Sequence, residues 1–281
     1  MDSIALNSRA KVNIGLLVLN HREDGYHNLY TIFQELDYHD TITLTKTKSG
    51  FKLSSDDEHF PVDRSNTCSK AYEAILGQFP NIGGVKIYVK KHIPQGAGLG
   101  GGSSNGATVL KGLNDLYSLE LSADKLSKLA MKIGADVPFF IRGGTQLGEG
   151  IGEILTPINV QLDFTFLLVI PPVFISTEWA YNELKNVLED RVEKANFADL
   201  FKRDEIPFEL FQNDFERIVI PAHPEIGEIK DSLLHNGARY ASLSGSGSTV
   251  FGMFDEDTAA KAAESFLSSD YRTILTRPTQ R

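Results

Sequence analysis

The chain has 281 residues, 41% of them hydrophobic and 23% charged, which suits a soluble globular protein of two closely packed domains. A formal net charge of −9 leaves no basic surplus for a nucleic-acid backbone, so any phosphate must be held locally by backbone amides and a few lysines. The single cysteine, Cys68, excludes an internal disulfide and a multi-cysteine metal site, and fits a reducing, cytoplasmic setting.

Near the start, "RAKVNIGLLVLN" carries Arg9 and Lys11 before a short apolar run, but no small-residue cleavage site follows, so it reads as a strand. With "IFQELDYHDTITLTKT" and "FKLSS" it makes the first 60 residues β-rich. Asn66 stands as the N-cap of a helix, "TCSKAYEAILGQF", and "GVKIYVKKHI" alternates as a half-buried strand ending at Pro94. A glycine-rich loop leads into the helix "NGATVLKGLNDLY". A second helix, "ADKLSKLAMKI", is capped by Ser122 and stopped by Gly134.

The pattern changes after "GGTQLGEGIGEILTP". "FTFLLVI" reads as a strand; extended to "FTFLLVIPPVFI" it is still too short for a bilayer and is broken by Pro171 and Pro172. The helix "TEWAYNELKNVLE" follows, 195–236 reads as largely helical, and "ARYASLS" and "TVFGMF" are strands joined by the turn "GSGS". A helix, "DTAAKAAESFLS", and a strand, "YRTILTR", complete the chain. Strand, helices, two strands, helix, strand is the split β-α-β order of a ferredoxin-like domain. The expected domains are therefore 1–155 and 156–281.

The loop is the most informative stretch. Gly96, Gly98, Gly100, Gly101 and Gly102 fall within ten positions and Gly106 follows, an entropic cost that a core does not need. A Walker loop would end in Gly-Lys-Ser/Thr, which occurs nowhere in the chain. The dinucleotide pattern is met by Gly96, Gly98 and Gly101, but Glu120, at the ribose distance, lies between two helices and not at a second strand's tip. Protein-kinase motifs are missing. What remains is Pro94, a glycine run, and Ser103-Ser104 opening a helix. Glycines let backbone N–H groups converge, and a helix start adds unpaired donors and partial positive charge. A flexible linker is the ordinary fate of such a stretch, but ordered elements flank it closely and favour a phosphate cradle. A branched side chain at Gly101 is expected to obstruct the phosphate.

"PQGAGLGGGSSNGAT" resembles the ATP loop of the galactokinase, homoserine kinase, mevalonate kinase and phosphomevalonate kinase (GHMP) superfamily. "SRAKVNIGLLV" and "SLSGSGSTVFGMF" resemble its other two motifs, in the expected order and across the whole chain. "REDGYHNLYTIFQELDYHD" and "GADVPFFIRGG" resemble the signature of the branch acting on 4-diphosphocytidyl-2-C-methyl-D-erythritol. Gly106 and Leu243 depart from the usual alanine and methionine without removing a reactive group. The resemblance implies an α+β, two-domain fold: an N-terminal ATP-binding domain like ribosomal protein S5 domain 2, and a C-terminal ferredoxin-like substrate domain. It further implies ATP as co-substrate, Mg2+, and in-line phosphorylation of the substrate's 2-hydroxyl in the non-mevalonate isoprenoid pathway.

Carried over residue by residue, the resemblance makes Asp136 the catalytic base and Lys11 the cation beside it. Read without it, Asp136 is a carboxylate fixed between Gly134 and Pro138, and a helix cap is the plainer role. Lys11, flanked by Ala10 and Val12, is either a solvent-facing strand residue or a charge in need of an anionic partner. The ATP loop takes in Pro94, Gly96, Ala97, Gly98, Leu99, Gly100, Gly101, Gly102, Ser103 and Ser104, with Asn66 near the adenine or simply capping its helix. Ser103 or Ser104 are the candidates to meet magnesium through the nucleotide phosphates; the spacing of Glu149 and Glu153 demands no metal. Asn13 shares a strand face with Lys11 and is expected at the substrate. Tyr26 and His27, in an expected loop, and Tyr181, close to Trp179, are implied to hold the cytosine by stacking and edge hydrogen bonds. Gly245, Ser246 and Gly247 come near the substrate in the family, though a hairpin turn would explain them equally. Two alternatives stand: a sister kinase for another small alcohol, and a catalytically silent relative that binds nucleotide and sugar. Neither a nucleic acid, a membrane nor an obligate protein partner is expected.

Overall fold

The computed structural model describes residues 2–23, 25–160, 162–185, 196–201, 203 and 205–279. The β-rich start forms as β1 (Ser3–His21), β2 (His27–Thr47) and β3 (Phe51–Ser55). Two compact units divide the chain: Met1–Ala10, Tyr38–Gln95 and Gly100–Gly143 make the first, and Lys11–Asp37, Gly96–Leu99 and Gly144–Arg281 the second. Both long strands and the glycine loop thus contribute to each unit.

In the first unit, β4 (Gly84–Lys90) pairs antiparallel with Thr41–Thr47 of β2 and parallel with β3. Its alternation is the one expected: Val85, Ile87 and Val89 are buried while Lys86, Tyr88 and Lys90 face water. The helices are α1 (Thr67–Leu76), α2 (Gly101–Tyr117), α3 (Ala123–Met131) and α4 (Val137–Arg142). Asn66 caps α1, its Oδ1 accepting the Cys68 N–H at 2.8 Å, and Ser122 Oγ accepts the Lys125 N–H at 3.3 Å on α3. Such caps are each worth about 1 kcal/mol.

Helix α2 begins earlier than its sequence suggests. Gly101, Gly102, Ser103 and Ser104 already lie in its first turn. Glycine's poor helix propensity, about 1 kcal/mol per residue, hides this start from sequence reasoning. Close packing against α1 overrides that propensity: a Cβ on Gly106 would lie only 3.1 Å from Thr67 Cβ.

In the second unit, β5 (Thr145–Glu149) pairs with Thr31–Gln34 of β2 and with β6 (Ile154–Pro157), two strands that the sequence reading did not separate. A second sheet holds β7 (Thr165–Ile170), β8 (Tyr240–Leu243), β9 (Val250–Phe254) and β10 (Arg272–Thr276) in the order β10-β7-β9-β8, all antiparallel. This is the arrangement that the split β-α-β order requires, with its first and third strands central. Phe166, Leu167, Leu168 and Val169 are all fully buried, which explains an apolar run without alternation.

The helices of this unit are α5 (Thr177–Lys185), α6 (Phe197–Leu200), α7 (Glu216–Ala222), α8 (Pro224–His235) and α9 (Asp257–Leu267), with a 3-10 turn at Phe208–Leu210. The rest of "TEWAYNELKNVLE", and residues 195, 202 and 204, lie outside the described residues. The expected helical tract 195–236 is broken into short pieces. Pro224 disfavours helical geometry at His223, whose φ of −135° and ψ of 78° separate α7 from α8. Among the described residues, no helix is long and apolar enough to cross a membrane.

Candidate active site

Lys11 sits inside β1 with 5% of its surface exposed, which settles its orientation: it does not face solvent. Its Nζ donates to Asn13 Oδ1 at 2.6 Å and lies 5.6 Å from the centre of the Phe33 ring. Asn13, two residues on and so on the same strand face, is also buried. The backbone N–H of Lys11 donates to Leu99 O at 3.0 Å, which ties β1 to the first half of the glycine loop.

The 244–249 segment meets these same residues. Ser244 Oγ donates to Gly98 O at 2.9 Å, and the Thr249 N–H donates to Ala97 O at 3.2 Å. Gly98 (φ +76°) has no room for a side chain, since a Cβ would stand 2.0 Å from Ser244 O. A Cβ on Gly245 would lie 3.5 Å from both Lys11 Nζ and Asn13 Oδ1. The turn therefore does more than join two strands: it brings backbone against a buried ammonium. Ser246, also buried, shares a hydrogen bond with Thr177 Oγ1 at 3.1 Å.

In the first unit, the remaining loop glycines open α2. Gly100 is its N-cap with a left-handed φ of 68°. The first-turn N–H groups of Gly101, Gly102 and Ser103 have no carbonyl one turn earlier to bond, and the helix adds about half a positive charge at this end. A Cβ on Gly101 would point at Ile93 Cγ2, 2.9 Å away, with Lys91 Nζ at 3.6 Å. A side chain at Gly101 would therefore meet Ile93, a packing reason for glycine beside its expected place at the phosphate. Exposed Gly102, where a Cβ meets nothing within 4 Å, is the open position.

Asp40, which the sequence reading did not single out, fixes this helix start. It is fully buried and ion-paired with Lys91; its Oδ1 accepts the His92 and Ile93 N–H groups at 2.7 and 2.8 Å. Asn105 Nδ2 donates to Asp40 Oδ2 at 2.9 Å and to Ser8 Oγ at 2.8 Å, and the Ser8 hydroxyl donates to Ser104 Oγ at 2.9 Å. An acid set directly before the β-branched run Thr41–Thr43, inside β2, was the available signal. Ser104 is thus turned into the unit, while Ser103 stays half-buried at the helix end.

Asp136 occupies the N-cap position of α4, where the Val137 N–H donates to Gly134 O at 3.2 Å and closes the expected turn. Its carboxylate makes no capping hydrogen bond. Position alone therefore does not explain an acid there. Asn66 differs: Oδ1 caps α1, and Nδ2 donates to Pro61 O at 2.5 Å, so both ends of its amide serve the chain.

His27 is the first residue of β2 and not part of a loop, while Tyr26 precedes the strand and is 59% exposed. The ring stacked on Tyr181 is that of His27, with centroids 5.7 Å apart and planes 21° off parallel. Phe215 meets Tyr181 edge-on at 4.9 Å. Partial burial, then the nearby His21 and Lys185, hold the His27 pKa below its ordinary 6.5, so its imidazole is neutral at pH 7. Glu153 Oε2 accepts the Ile151 N–H at 2.6 Å, a turn-closing role. A cleft of about 760 Å³ elsewhere in the second unit, between Phe208, Phe211, Tyr240 and Lys230, takes in none of the residues singled out from the sequence.

The model of the GHMP kinases N terminal domain matches residues 66–144, and that of the GHMP kinases C terminal matches 197–273. A protein of Prosthecochloris aestuarii named 4-diphosphocytidyl-2-C-methyl-D-erythritol kinase is 39% identical over 280 residues, covering 98% of each chain. The chain belongs to the 4-diphosphocytidyl-2-C-methyl-D-erythritol kinase family. A member from Geobacter metallireducens is 41% identical, with 99% of both chains covered. A crystal structure of 4-(cytidine 5'-diphospho)-2C-methyl-D-erythritol kinase matches with a TM-score of 0.84 and 31% identity, over 99% of this chain and 100% of that one. Homoserine kinase from Cytophaga hutchinsonii (21% identity, 98% and 94% covered, TM-score 0.70) shares the fold. The protein is a kinase of the GHMP fold, as its motifs implied.

Proposed function

We propose that this kinase transfers the γ-phosphoryl group of ATP to the 2-hydroxyl of 4-diphosphocytidyl-2-C-methyl-D-erythritol, a step of the non-mevalonate isoprenoid pathway. The observation that carries this reading is the full-length identity of 39% to a relative bearing that name. The proposed halves are 1–155 for the nucleotide and 156–281 for the substrate, in a cytoplasmic enzyme.

In this reading Pro94 and the loop 96–104 hold the ATP phosphates, with amides at the start of α2 as the anion-binding donors. Magnesium carried by the nucleotide would neutralise phosphate charge. Among the described residues no three His, Cys, Asp or Glu side chains gather as a metal cage. The half-buried hydroxyl of Ser103 suits the outer coordination of such an ion better than Ser104, which Ser8 engages. Asp136 accepts the proton of the 2-hydroxyl, supported by its place in the 134–138 turn at the head of α4, where its side chain makes no capping hydrogen bond. Lys11 favours the charge that develops on the attacking oxygen, supported by its burial against Asn13 and the Gly245 backbone. Transfer is in line, so positioning and electrostatics supply the rate. Asn13, Gly245 and Ser246 line the alcohol. Tyr26, His27 and Tyr181 recognise the cytosine.

Competition kinetics test the substrate assignment. CMP and CDP should compete with the alcohol and not with ATP. Competition with ATP alone would remove the cytidine pocket and return the substrate to the sister kinases.

A further inference from the structure

Thr31, on β2, lies within the strand segment that pairs with β5, and its side chain is fully buried. Its hydroxyl donates to Gly15 O at 2.6 Å and accepts from Asn13 Nδ2 at 3.0 Å. Both directions are forced. A carbonyl can only accept, so the one hydroxyl proton of Thr31 is committed to Gly15 and only lone pairs face Asn13. Asn13 must then turn its NH2 toward Thr31 and its carbonyl oxygen toward Lys11, whose ammonium donates to it at 2.6 Å. Flipped, the amide would set donor against donor at a buried cation.

Gly15 anchors the chain of bonds. Its φ of +70° is a left-handed value that suits glycine, and a Cβ there would stand 3.0 Å from the Phe197 ring. Its N–H donates to the Tyr240 hydroxyl at 3.2 Å, which in turn donates to Phe211 O at 2.8 Å. Side chains therefore hold both backbone polar groups of Gly15. The polarity of one backbone carbonyl is passed through Thr31 and Asn13 to the Lys11 ammonium.

We infer that Thr31 is a positioning residue for phosphoryl transfer, acting through Asn13 on Lys11. This rests on the reading of Lys11 as the cation at the transferred phosphate. Thr31→Val keeps the shape and removes the hydroxyl, and with it the acceptor that Asn13 Nδ2 meets at Thr31 and the donor that Thr31 gives to Gly15 O.

The test compares Thr31→Val, Thr31→Ala, Thr31→Ser and Lys11→Met by kcat, both KM values and Tm. Loss of a buried hydrogen bond feeding a charged group predicts a fall in kcat of roughly tenfold or more for Val and Ala. Both KM values should stay within about twofold, and Thr31→Ser should recover most of the turnover. Thr31→Ala carries the same test if Thr31→Val does not fold. Folded Val and Ala variants that keep kcat within twofold, beside an inactive Lys11→Met, overturn the role of Thr31 and leave Lys11 in place. A slow Thr31→Ser with normal Tm also overturns it. A Lys11→Met enzyme with near-normal turnover overturns the reading of Lys11 itself.

Discussion

The imidazole of His27 stacks on the phenol of Tyr181 with 5.7 Å between ring centres, in a pair formed by the first residue of β2 and a residue of α5. A nucleobase needs a flat face and directional partners at its edge, and these two rings offer both. Tyr181→Ala should weaken the cytidine-bearing substrate by about 1–3 kcal/mol, the worth of base–aromatic stacking, and raise its KM about tenfold or more. The KM for ATP should not change. An equal rise in both KM values would point to a general defect of the fold. His27→Ala should reduce discrimination between cytidine and uridine analogues.

The same pair predicts a pH response. The pKa of His27 in the folded protein lies below its ordinary 6.5, because burial and the neighbouring His21 and Lys185 disfavour the charged ring. Its contribution to stability is therefore complete above pH 6.5 and is lost as the pH falls through the folded value. Substrate KM should rise over that acidic range, as the ring gains its proton, and His27→Gln should flatten the rise. A profile identical in wild type and variant would exclude His27 from the substrate site.

At the start of α2 two adjacent glycines should behave differently. Gly102→Val projects into open space beside the first-turn amides and should raise the KM for ATP roughly tenfold, about the loss of one charge-assisted hydrogen bond, with Tm nearly unchanged. Gly101→Val drives a side chain at Ile93 and should lower stability by about 1–3 kcal/mol, the usual cost of overpacking. Calorimetric titration with a non-hydrolysable ATP analogue and thermal melts separate the two effects. Unchanged affinity in folded Gly102→Val would contradict the phosphate cradle.

Cys68 offers an internal reporter. Burial pushes its thiol up to about 12, so alkylation at pH 8 should be negligible in the native protein and rapid once the chain unfolds. Rapid labelling under native conditions would show that α1 opens locally at low cost.

Asp136→Asn should fold normally and lose about 10²–10⁴-fold in kcat, the share of a general base. The side chain makes no capping bond, so the substitution removes no cap from α4. Near-wild-type turnover would reduce Asp136 to a turn residue.

Much of the fold around this site was legible in the chain because its signals are local. Asn66 before an apolar period, Ser122 before another, and the alternation of Val85, Ile87 and Val89 each act over a few residues. What escaped notice depends on distant partners. Thr31 looks like any β-branched strand residue until Gly15 and Asn13 meet it, and Asp40 becomes a hub only when Lys91 and Asn105 fold onto it. The helical start at Gly101 was hidden because glycine's own preference opposes it and only packing supplies the reason. Short β5 and β6 escaped for a similar cause: glycines at 148 and 150 interrupt the β signal that the pairing of β5 to β2 and of β6 to β5 restores.

The most direct measurement is turnover by the purified protein with ATP, Mg2+ and 4-diphosphocytidyl-2-C-methyl-D-erythritol, followed by 31P NMR of the product. ADP should form in step with a new phosphomonoester on the 2-hydroxyl, and homoserine and mevalonate should not be consumed. Failure to phosphorylate the cytidine-bearing alcohol, while another small alcohol turns over or none does, would contradict the account.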